Sequence, residues 1–287
     1  MNPKLFGLLY VAPSTLSASL NFLVAGVLLS NAKFRTPAQV LMANLCISSA
    51  IQIINIGVYP GIRMSLGAEN RNVTTSDALF GMNCLWQFWS SSVLLVLIAV
   101  HRFTCLNSRE RATRLFSEHK RIVCNVFPYV AFLLLSIAFA STLGMAYFPW
   151  LSQFLTYDFQ HRIPEYFSVT FGICCVILQQ IFDILALNGI RKLRKAQSQS
   201  FQQTSRDRMK EEVRLTIQAI VPSVLYCISG LYFVFRGLSE TKPGVNHVNS
   251  GIVLALFLVN QTVNPVLCIA LNTALRQRII ALVRKRF

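Results

Sequence analysis

The most informative feature of the chain is a long apolar run that ends in a basic residue. The run is Leu79–Val100, LFGMNCLWQFWSSSVLLVLIAV, and His101-Arg102-Phe103 follows it directly. About 20 helical residues are needed to cross the hydrocarbon core of a bilayer. Because the backbone must satisfy its own hydrogen bonds in lipid, we expect this run to be a membrane-spanning helix.

Six further apolar runs of similar length lie on either side of it. Together the seven predict spans over Leu5–Ser30, Ala38–Ile62, Leu79–Val100, Ile122–Phe148, Tyr166–Ile190, Val213–Phe235 and Val248–Leu271. The connecting segments are too short to suggest a second domain. We therefore predict that residues 1–287 form a single all-α domain, a seven-transmembrane helix bundle.

The segment after the last run has a different pattern. Its apolar residues share one helical face, and its basic residues lie away from that face: Leu275, Ile279, Leu282 and Val283 against Arg276, Arg284 and Lys285. This pattern predicts a short amphipathic helix, about residues 273–286, on the inner membrane surface. A disordered basic tail is the alternative.

The distribution of positive charge predicts the orientation of the bundle. The formal net charge is +16, and 21 of the 27 Lys and Arg residues lie in every second connection and in the tail. By the positive-inside rule, the amino terminus is outside and the carboxyl terminus is cytoplasmic, as in a multi-pass protein of the plasma membrane. The charge is therefore attributed to anionic lipid or an acidic cytoplasmic partner, and we expect no nucleic acid partner.

The loops and cysteines add two smaller expectations. Asn72-Val73-Thr74 is a glycosylation sequon in a loop predicted to be external, so Asn72 is a candidate glycosylation site. The eight cysteines all lie in apolar runs or at their basic ends, which suggests no disulfide framework. The sequence contains no motif for a cofactor or a metal, and we expect neither.

The third predicted helix carries a continuous stripe that ends at Arg102. Steps of one helical turn back from this arginine reach Ser91, Phe88 and Cys84 in the outer half. Such a face could join an outer ligand pocket to an inner switch. The alternative is an arginine that reaches out to lipid phosphates.

The seventh predicted helix carries three amides close to a proline: Asn260, Gln261 and Asn264 before Pro265. Because Pro265 has no N–H, the carbonyl of Gln261 loses its helical donor and the helix is expected to kink. Asn21 and Asn44 lie at comparable depths in helices 1 and 2 and could complete a polar network there. Simple interhelical contact without switching is the alternative.

These features together resemble the rhodopsin-like G-protein-coupled receptors. The resemblance rests on the seven helices, the inward basic bias, Asn21, Asn44-Leu45, Arg102 and Asn264-Pro265, and the amphipathic tail is similar to the eighth helix of that family. The chain is most similar to nematode chemosensory serpentine receptors of class x. The resemblance implies a chemosensory receptor that binds an external small molecule in the outer bundle and activates a cytoplasmic heterotrimeric G protein.

The resemblance also implies roles for particular residues, with several departures from the family pattern. Arg102, next to His101, would be the inner switch, and Glu211 or Glu212 would hold it at rest, unless these acids belong to a solvated helix face. Asn264, Pro265, Asn21 and Asn44 would complete the switch region. His101 replaces the usual acid, Cys268 replaces a tyrosine, and Ala146–Glu165 lacks the usual cysteine.

The candidate ligand pocket is placed by geometry in the outer halves of helices 3, 5, 6 and 7. Its candidate residues are Cys84, Gln87, Phe88, Phe171, Cys227 and Leu254. Because the outer halves hold no carboxylate, we expect a neutral or weakly polar ligand. Trp86, Trp89, Tyr147 and Trp150 are interpreted as an aromatic belt at the outer boundary.

Two other classes of membrane protein remain as alternatives, a small helical transporter and an odorant-gated channel subunit. A transporter would need a charged or broken-helix site at mid-membrane, whereas Asp183 lies near the inner end of helix 5. Enzyme activity is not expected, because the sequence has no HExxH, no GxSxG and no paired carboxylates at mid-membrane.

Overall fold

The structure of the protein is a computed structural model. It describes residues 3–30, 36–66, 75–143, 145–148, 153–156, 163–197, 214, 217, 220–229 and 247–284.

The described chain is almost entirely helical. Its helices are α1 (Pro3–Ser30), α2 (Pro37–Ile53), α3 (Tyr59–Ser65), α4 (Thr75–Asn107), α5 (Arg109–Leu115), α6 (Glu118–Leu143), α7 (Ile163–Gln197), α8 (Ile220–Ser229), α9 (His247–Leu271) and α10 (Thr273–Arg284). A two-stranded antiparallel hairpin, β1 (Met145–Phe148) and β2 (Gln153–Thr156), joins α6 to α7.

Each of the seven predicted spans contains a helix in the described part of the chain. Four helical stretches are long and apolar enough to cross a membrane: Gly7–Ser30, Pro37–Arg63, Leu79–Asn107 and Thr170–Arg191. The bent pair Ala255–Leu271 and Thr273–Leu282 is a fifth candidate, and Ile122–Ala138 and Ile220–Ser229 are shorter apolar helices. The predicted all-α, seven-helix fold is confirmed.

The prediction for the fourth helix extended too far at the carboxyl end. The helix was predicted to reach Phe148, but α6 ends at Leu143 and Met145–Phe148 is a strand. A short apolar run does not distinguish helix from strand. Here antiparallel pairing with Gln153–Thr156 provides the backbone hydrogen bonds that a strand needs. The hairpin packs against α4.

Two other helices are longer than the hydrocarbon core requires. α4 continues past Val100 to Asn107, and α7 continues past Ile190 to Gln197. Apolar runs mark only the part of a helix that lies in lipid, so the polar extension of α4 was missed. The extension of α7 agrees with the helix-compatible basic run that starts at Arg191.

The second span changes helical geometry in its middle. α2 passes into a π-helical turn, Ile54–Val58, directly before Tyr59 and Pro60, and the chain continues as α3. Pro60 cannot donate a backbone hydrogen bond, and a local π turn accommodates such a break.

The tail forms a separate helix, as predicted. α9 and α10 meet at an angle of 97°. Asn272 lies at the bend, where its Oδ1 accepts a hydrogen bond from the backbone N–H of Leu275 at 3.0 Å and so caps α10. Leu275 is fully buried, whereas Arg276 and Arg278 are exposed.

The end of the bundle that carries α5 and α10 is called the basic end below, and the opposite end is called the hairpin end. Phe116, which follows α5, and Leu275 of α10 belong to one buried cluster with Leu41, Leu45 and Leu94. This cluster fixes the basic ends of α1, α2 and α4 around a common core.

Large apolar side chains also cover the outer surface of the bundle. On α6 the exposed set includes Ile122, Val126, Phe127, Val130 and Leu134. An exposed apolar face of this extent fits a lipid environment.

Candidate functional site

A buried charged pair occupies the basic end of the bundle. Arg102 of α4 is 4% exposed and Asp183 of α7 is 3% exposed, and the two side chains interact electrostatically. Arg102 is therefore not an arginine that reaches out to lipid. The sequence contained both residues, but it did not show that they lie near each other in the fold.

The packing of α4 against α7 explains why Arg102 and Asp183 lie near each other. Phe103 and Phe182, the neighbours of the charged pair, have ring centroids 5.7 Å apart. Nearer the hairpin end, a methyl group on Gly172 would lie 3.1 Å from the Phe88 ring. The two helices thus run side by side over several turns, which brings Asp183 level with Arg102.

A hydrogen-bonded serine links this pair to α8. Asp183 hydrogen-bonds to Ser223, which is 1% exposed. The amide of Gln180, on α7, also donates to the Ser223 hydroxyl, and it lies 3.7 Å from the Cys227 sulfur. Helices α4, α7 and α8 are therefore joined through polar side chains at one level.

The carbonyl that the proline of α9 leaves without a helical donor is satisfied by a neighbouring amide, as expected from the sequence. The Asn21 side chain of α1 donates to the Gln261 carbonyl at 3.2 Å and to the Ser17 carbonyl at 3.0 Å. The first of these carbonyls is the one that Pro265 deprives of a helical donor. Asn21 thereby ties α1 to the part of α9 that precedes Pro265.

A chain of glutamines and serines continues from this point across the bundle. Gln261 donates to Gln52 at 2.6 Å, and Gln52 donates to Ser91 at 3.4 Å. Ser48 contacts the Ser91 hydroxyl at 2.7 Å and donates to the Gln87 side chain at 2.6 Å. These side chains, called the amide chain below, connect α9, α2 and α4.

Gln87, a predicted ligand-binding residue, therefore has a different position from the expected one. It is 1% exposed and belongs to the amide chain, where it accepts from Ser48. Gln52 was not singled out in the sequence. Its position among apolar neighbours in a predicted span was the signal that could have identified it.

Two small cavities lie between the amide chain and the charged pair. Each has room for on the order of one water molecule. Asn264 and Pro222 line both cavities, Arg102 and Gln179 line the first, and Asn260 lines the second. The amide chain, Asn260, Asn264 and Arg102 are called the polar core below. Apolar side chains such as Leu45 and Leu95 share the lining of the two cavities between them.

Asn44 does not take part in this arrangement. Its side chain donates to Asn125 of α6, and its carbonyl accepts from the Tyr129 hydroxyl at 3.1 Å. The expected grouping of Asn44 with the amides of α9 is therefore wrong. The depth of a residue follows from the sequence, but the helix that it faces does not.

His101 contacts Phe116 and Cys105. Its ring meets Phe116 edge to face, with centroids 4.7 Å apart, and its two ring nitrogens lie 3.8 and 3.6 Å from the sulfur of Cys105. His101 thus packs the segment after α5 onto α4.

Three of the other predicted ligand residues, Cys84, Phe88 and Phe171, lie in a packed region of the hairpin end. Cys84 is buried, and Phe88 and Phe171 pack against the cluster of Leu85 and Trp89. Neither described cavity is lined by any of Cys84, Gln87, Phe88, Phe171, Cys227 and Leu254. The side chain of Leu254, and all of Glu211, Glu212 and Asn72, lie outside the described residues.

Trp89 is a core residue and does not belong to a belt. It is 0% exposed, and its ring meets those of Phe132 and Phe167 at centroid distances of 5.9 and 5.4 Å. The belt interpretation is therefore wrong for Trp89. Tyr147 and Trp150 have no described side chains.

The fold is that of a known class of membrane receptor. Squid rhodopsin in its crystal structure is similar, with a TM-score of 0.78 and 15% sequence identity over 96% of this chain and 84% of that one. At this identity the similarity shows the seven-helix fold alone. No curated protein sequence matches the chain.

The family follows from the sequence itself. Residues 14–272 match the family described as "Serpentine type 7TM GPCR chemoreceptor Srx". The chain belongs to this family of serpentine chemoreceptors, a receptor class of multi-pass membrane proteins and not an enzyme family.

Proposed function

We propose that the protein is a chemosensory G-protein-coupled receptor. In this proposal an external small molecule binds among the helices at the hairpin end, and a cytoplasmic heterotrimeric G protein binds at the basic end. The observation that carries the proposal is the family match over residues 14–272 on a bundle with the rhodopsin fold. The buried Arg102 at the basic end is consistent with it.

The orientation belongs to the same proposal. The amino terminus is outside and the carboxyl terminus is cytoplasmic, since the exposed arginines of α5 and α10 lie at one end of the bundle. This places the hairpin end, where a ligand would arrive, outside the cell.

The ligand is a neutral or weakly polar small molecule. Described side chains at the hairpin end of α4 and α7 are aromatic or weakly polar, among them Cys84, Phe88, Trp89 and Phe171. A cationic ligand would require a carboxylate, and the outer halves of the predicted spans contain none.

The polar core would transmit the signal between the two ends. Tyr226 of α8 contacts the Ser92 hydroxyl of α4 at 2.9 Å, and its ring stacks with Phe88 at a centroid distance of 6.3 Å. A ligand that contacts Phe88 is thus one residue from the side chains that hold α8 against α4. A ligand that binds better when α8 moves outward shifts the population toward that state.

A small-molecule panel on cells that express the receptor at the surface tests the proposal. We expect a subset of neutral compounds to accelerate guanine-nucleotide exchange on a co-expressed G protein, with no response in cells that express Arg102→Gln at the same surface level. Uptake of a compound, or a ligand-gated current, without nucleotide exchange would instead favour a transporter or a channel subunit.

A further inference from the structure

We propose that Asp183 is the counter-charge of Arg102, and that this pair restrains the basic end of the bundle in its resting arrangement. The restraint extends to α8 through Ser223. The inference rests on the proposed function, because it assigns the resting-state restraint to a residue of α7. It replaces the expectation that Glu211 or Glu212 has this role.

Both charged groups are buried inside the bundle. Arg102 and Asp183 are 4% and 3% exposed, and Asp183 is the one carboxylate within the seven predicted spans. An isolated charge inside a membrane protein is costly, and a partner of opposite sign offsets much of that cost. Each group is therefore the natural partner of the other.

Helices α4 and α7 pack closely around the charged pair. The Phe103 and Phe182 rings are in contact, and a methyl group on Gly189 would lie 3.4 Å from Leu106 Cβ, one turn nearer the basic end. Contacts on both sides of the charged pair thus hold α4 and α7 at the register in which Arg102 and Asp183 interact.

Asp183 also makes a hydrogen bond to α8. The carboxylate binds Ser223, while its Oδ2 atom is buried and has no hydrogen-bond partner among the described residues. One oxygen is thus committed to α8, and the other makes no hydrogen bond among the described residues, so the guanidinium acts on the carboxylate through its charge. Gln180 binds Ser223 as well, so α8 is held from two positions on α7.

These contacts predict what loss of the carboxylate charge would do. Without the charge, Arg102 loses the interaction that holds it within the bundle, and Ser223 loses an ionic acceptor. Both changes favour outward movement of α8 and release of Arg102 toward the basic end. We therefore expect more ligand-independent activity.

The first experiment measures basal guanine-nucleotide exchange, normalised to surface expression. Asp183→Asn keeps the shape and the hydrogen bond to Ser223 but removes the charge. A bias of about 1 kcal/mol changes a two-state ratio roughly fivefold, so we expect about a fivefold rise. Asp183→Glu should stay near wild type, and the matched control is Glu211→Gln with Glu212→Gln, which should not raise basal exchange.

The second experiment does not depend on signalling. Thermal unfolding is measured in lipid nanodiscs for Asp183→Asn, Arg102→Gln and the double variant. Each single variant leaves one buried charge without its partner and should lower Tm by about 2 °C or more, whereas the double variant should lose less than the sum. Additive losses would overturn the pairing.

The two experiments separate failure of the inference from failure of the proposed function. A rise in basal exchange in the Glu211→Gln with Glu212→Gln variant, with none in Asp183→Asn, would overturn the assignment. If no variant and no ligand produces nucleotide exchange, non-additive Tm losses would still support the pairing of Arg102 with Asp183. Only the proposed signalling function would then be rejected. If exchange is absent and the Tm losses are additive, both the pairing and the proposed function would be rejected.

Discussion

The Asn21 side chain lies 3.2 Å from the main-chain carbonyl of Gln261 and donates a hydrogen bond to it. That carbonyl would be the acceptor of a backbone N–H at position 265, but Pro265 has none. An asparagine in the first helix thus compensates for a proline in the last predicted span. The amide chain begins at the same Gln261, so this contact fixes one end of the polar core.

Replacement of Asn21 should therefore destabilise the protein through an unsatisfied carbonyl. We expect Asn21→Ala to cost about 1–2 kcal/mol, seen as a Tm lower by a few degrees in nanodiscs. The Pro265→Ala background supplies the missing N–H, so Asn21→Ala should cost clearly less there. Equal losses in both backgrounds would show that Asn21 does not act through the Gln261 carbonyl.

Close packing of α1 against α3 predicts a second effect. A methyl group on Gly7 would overlap the Ser65 hydroxyl and lie 2.6 Å from the Gly61 carbonyl, so Gly7→Ala should push the helices apart and lower Tm. Gly26, in the same helix, has nothing within 4 Å of such a methyl group. Gly26→Ala should leave Tm unchanged or raise it, since alanine favours a helix by about 0.5–1 kcal/mol. A lower Tm for Gly26→Ala alone would contradict this packing.

The aromatic core at the hairpin end gives a third prediction. Trp89 is fully buried among aromatic rings, so Trp89→Ala should open a cavity and cost about 3–5 kcal/mol. The matched control is Phe127→Ala on α6, where the side chain is 66% exposed on the apolar surface. Thermal unfolding of the two variants should differ by several degrees. If Trp89 instead belonged to an interfacial belt, both substitutions would have similarly small effects.

Orientation in the membrane is tested separately from signalling. An epitope tag after Phe287 should be reached by antibody only after cells are permeabilised, and a tag before Met1 should be reached on intact cells. These results follow from the concentration of basic residues in α5, α10 and the connection between the fifth and sixth predicted spans. Detection of the carboxyl-terminal tag on intact cells would reverse the proposed orientation.

Much of the fold was predictable because lipid imposes a simple rule on the sequence. Seven long apolar runs require helices, and the separate helix after Leu271 followed from the amphipathic pattern of the tail. The strand at Met145–Phe148 was not predictable, because its apolar residues continue the run of α6 and only pairing with Gln153–Thr156 distinguishes it. The end of α4 was missed because it extends beyond the apolar run.

The sequence predicted which residues belong to the candidate site better than it predicted which of them contact one another. Arg102, Asn264 and Pro265 were identified as polar or special residues in apolar helices, and the structure places all three in the buried interior. The partners were not identified, because the rotation and register of one helix against another are tertiary properties. The same reason explains why Asn44 faces Asn125, and why Asp183 was considered only for its depth.

The most direct test of the account is nucleotide exchange with purified components. The receptor in lipid nanodiscs is mixed with a heterotrimeric G protein. Binding of a non-hydrolysable GTP analogue to the G protein, here called uptake, is followed with and without an active compound from the panel. We predict that the compound accelerates uptake about tenfold, equivalent to a shift of about 1.4 kcal/mol, and that Arg102→Gln loses the acceleration. Uptake that is unchanged by a compound shown to bind, or acceleration that survives in Arg102→Gln, would contradict the account.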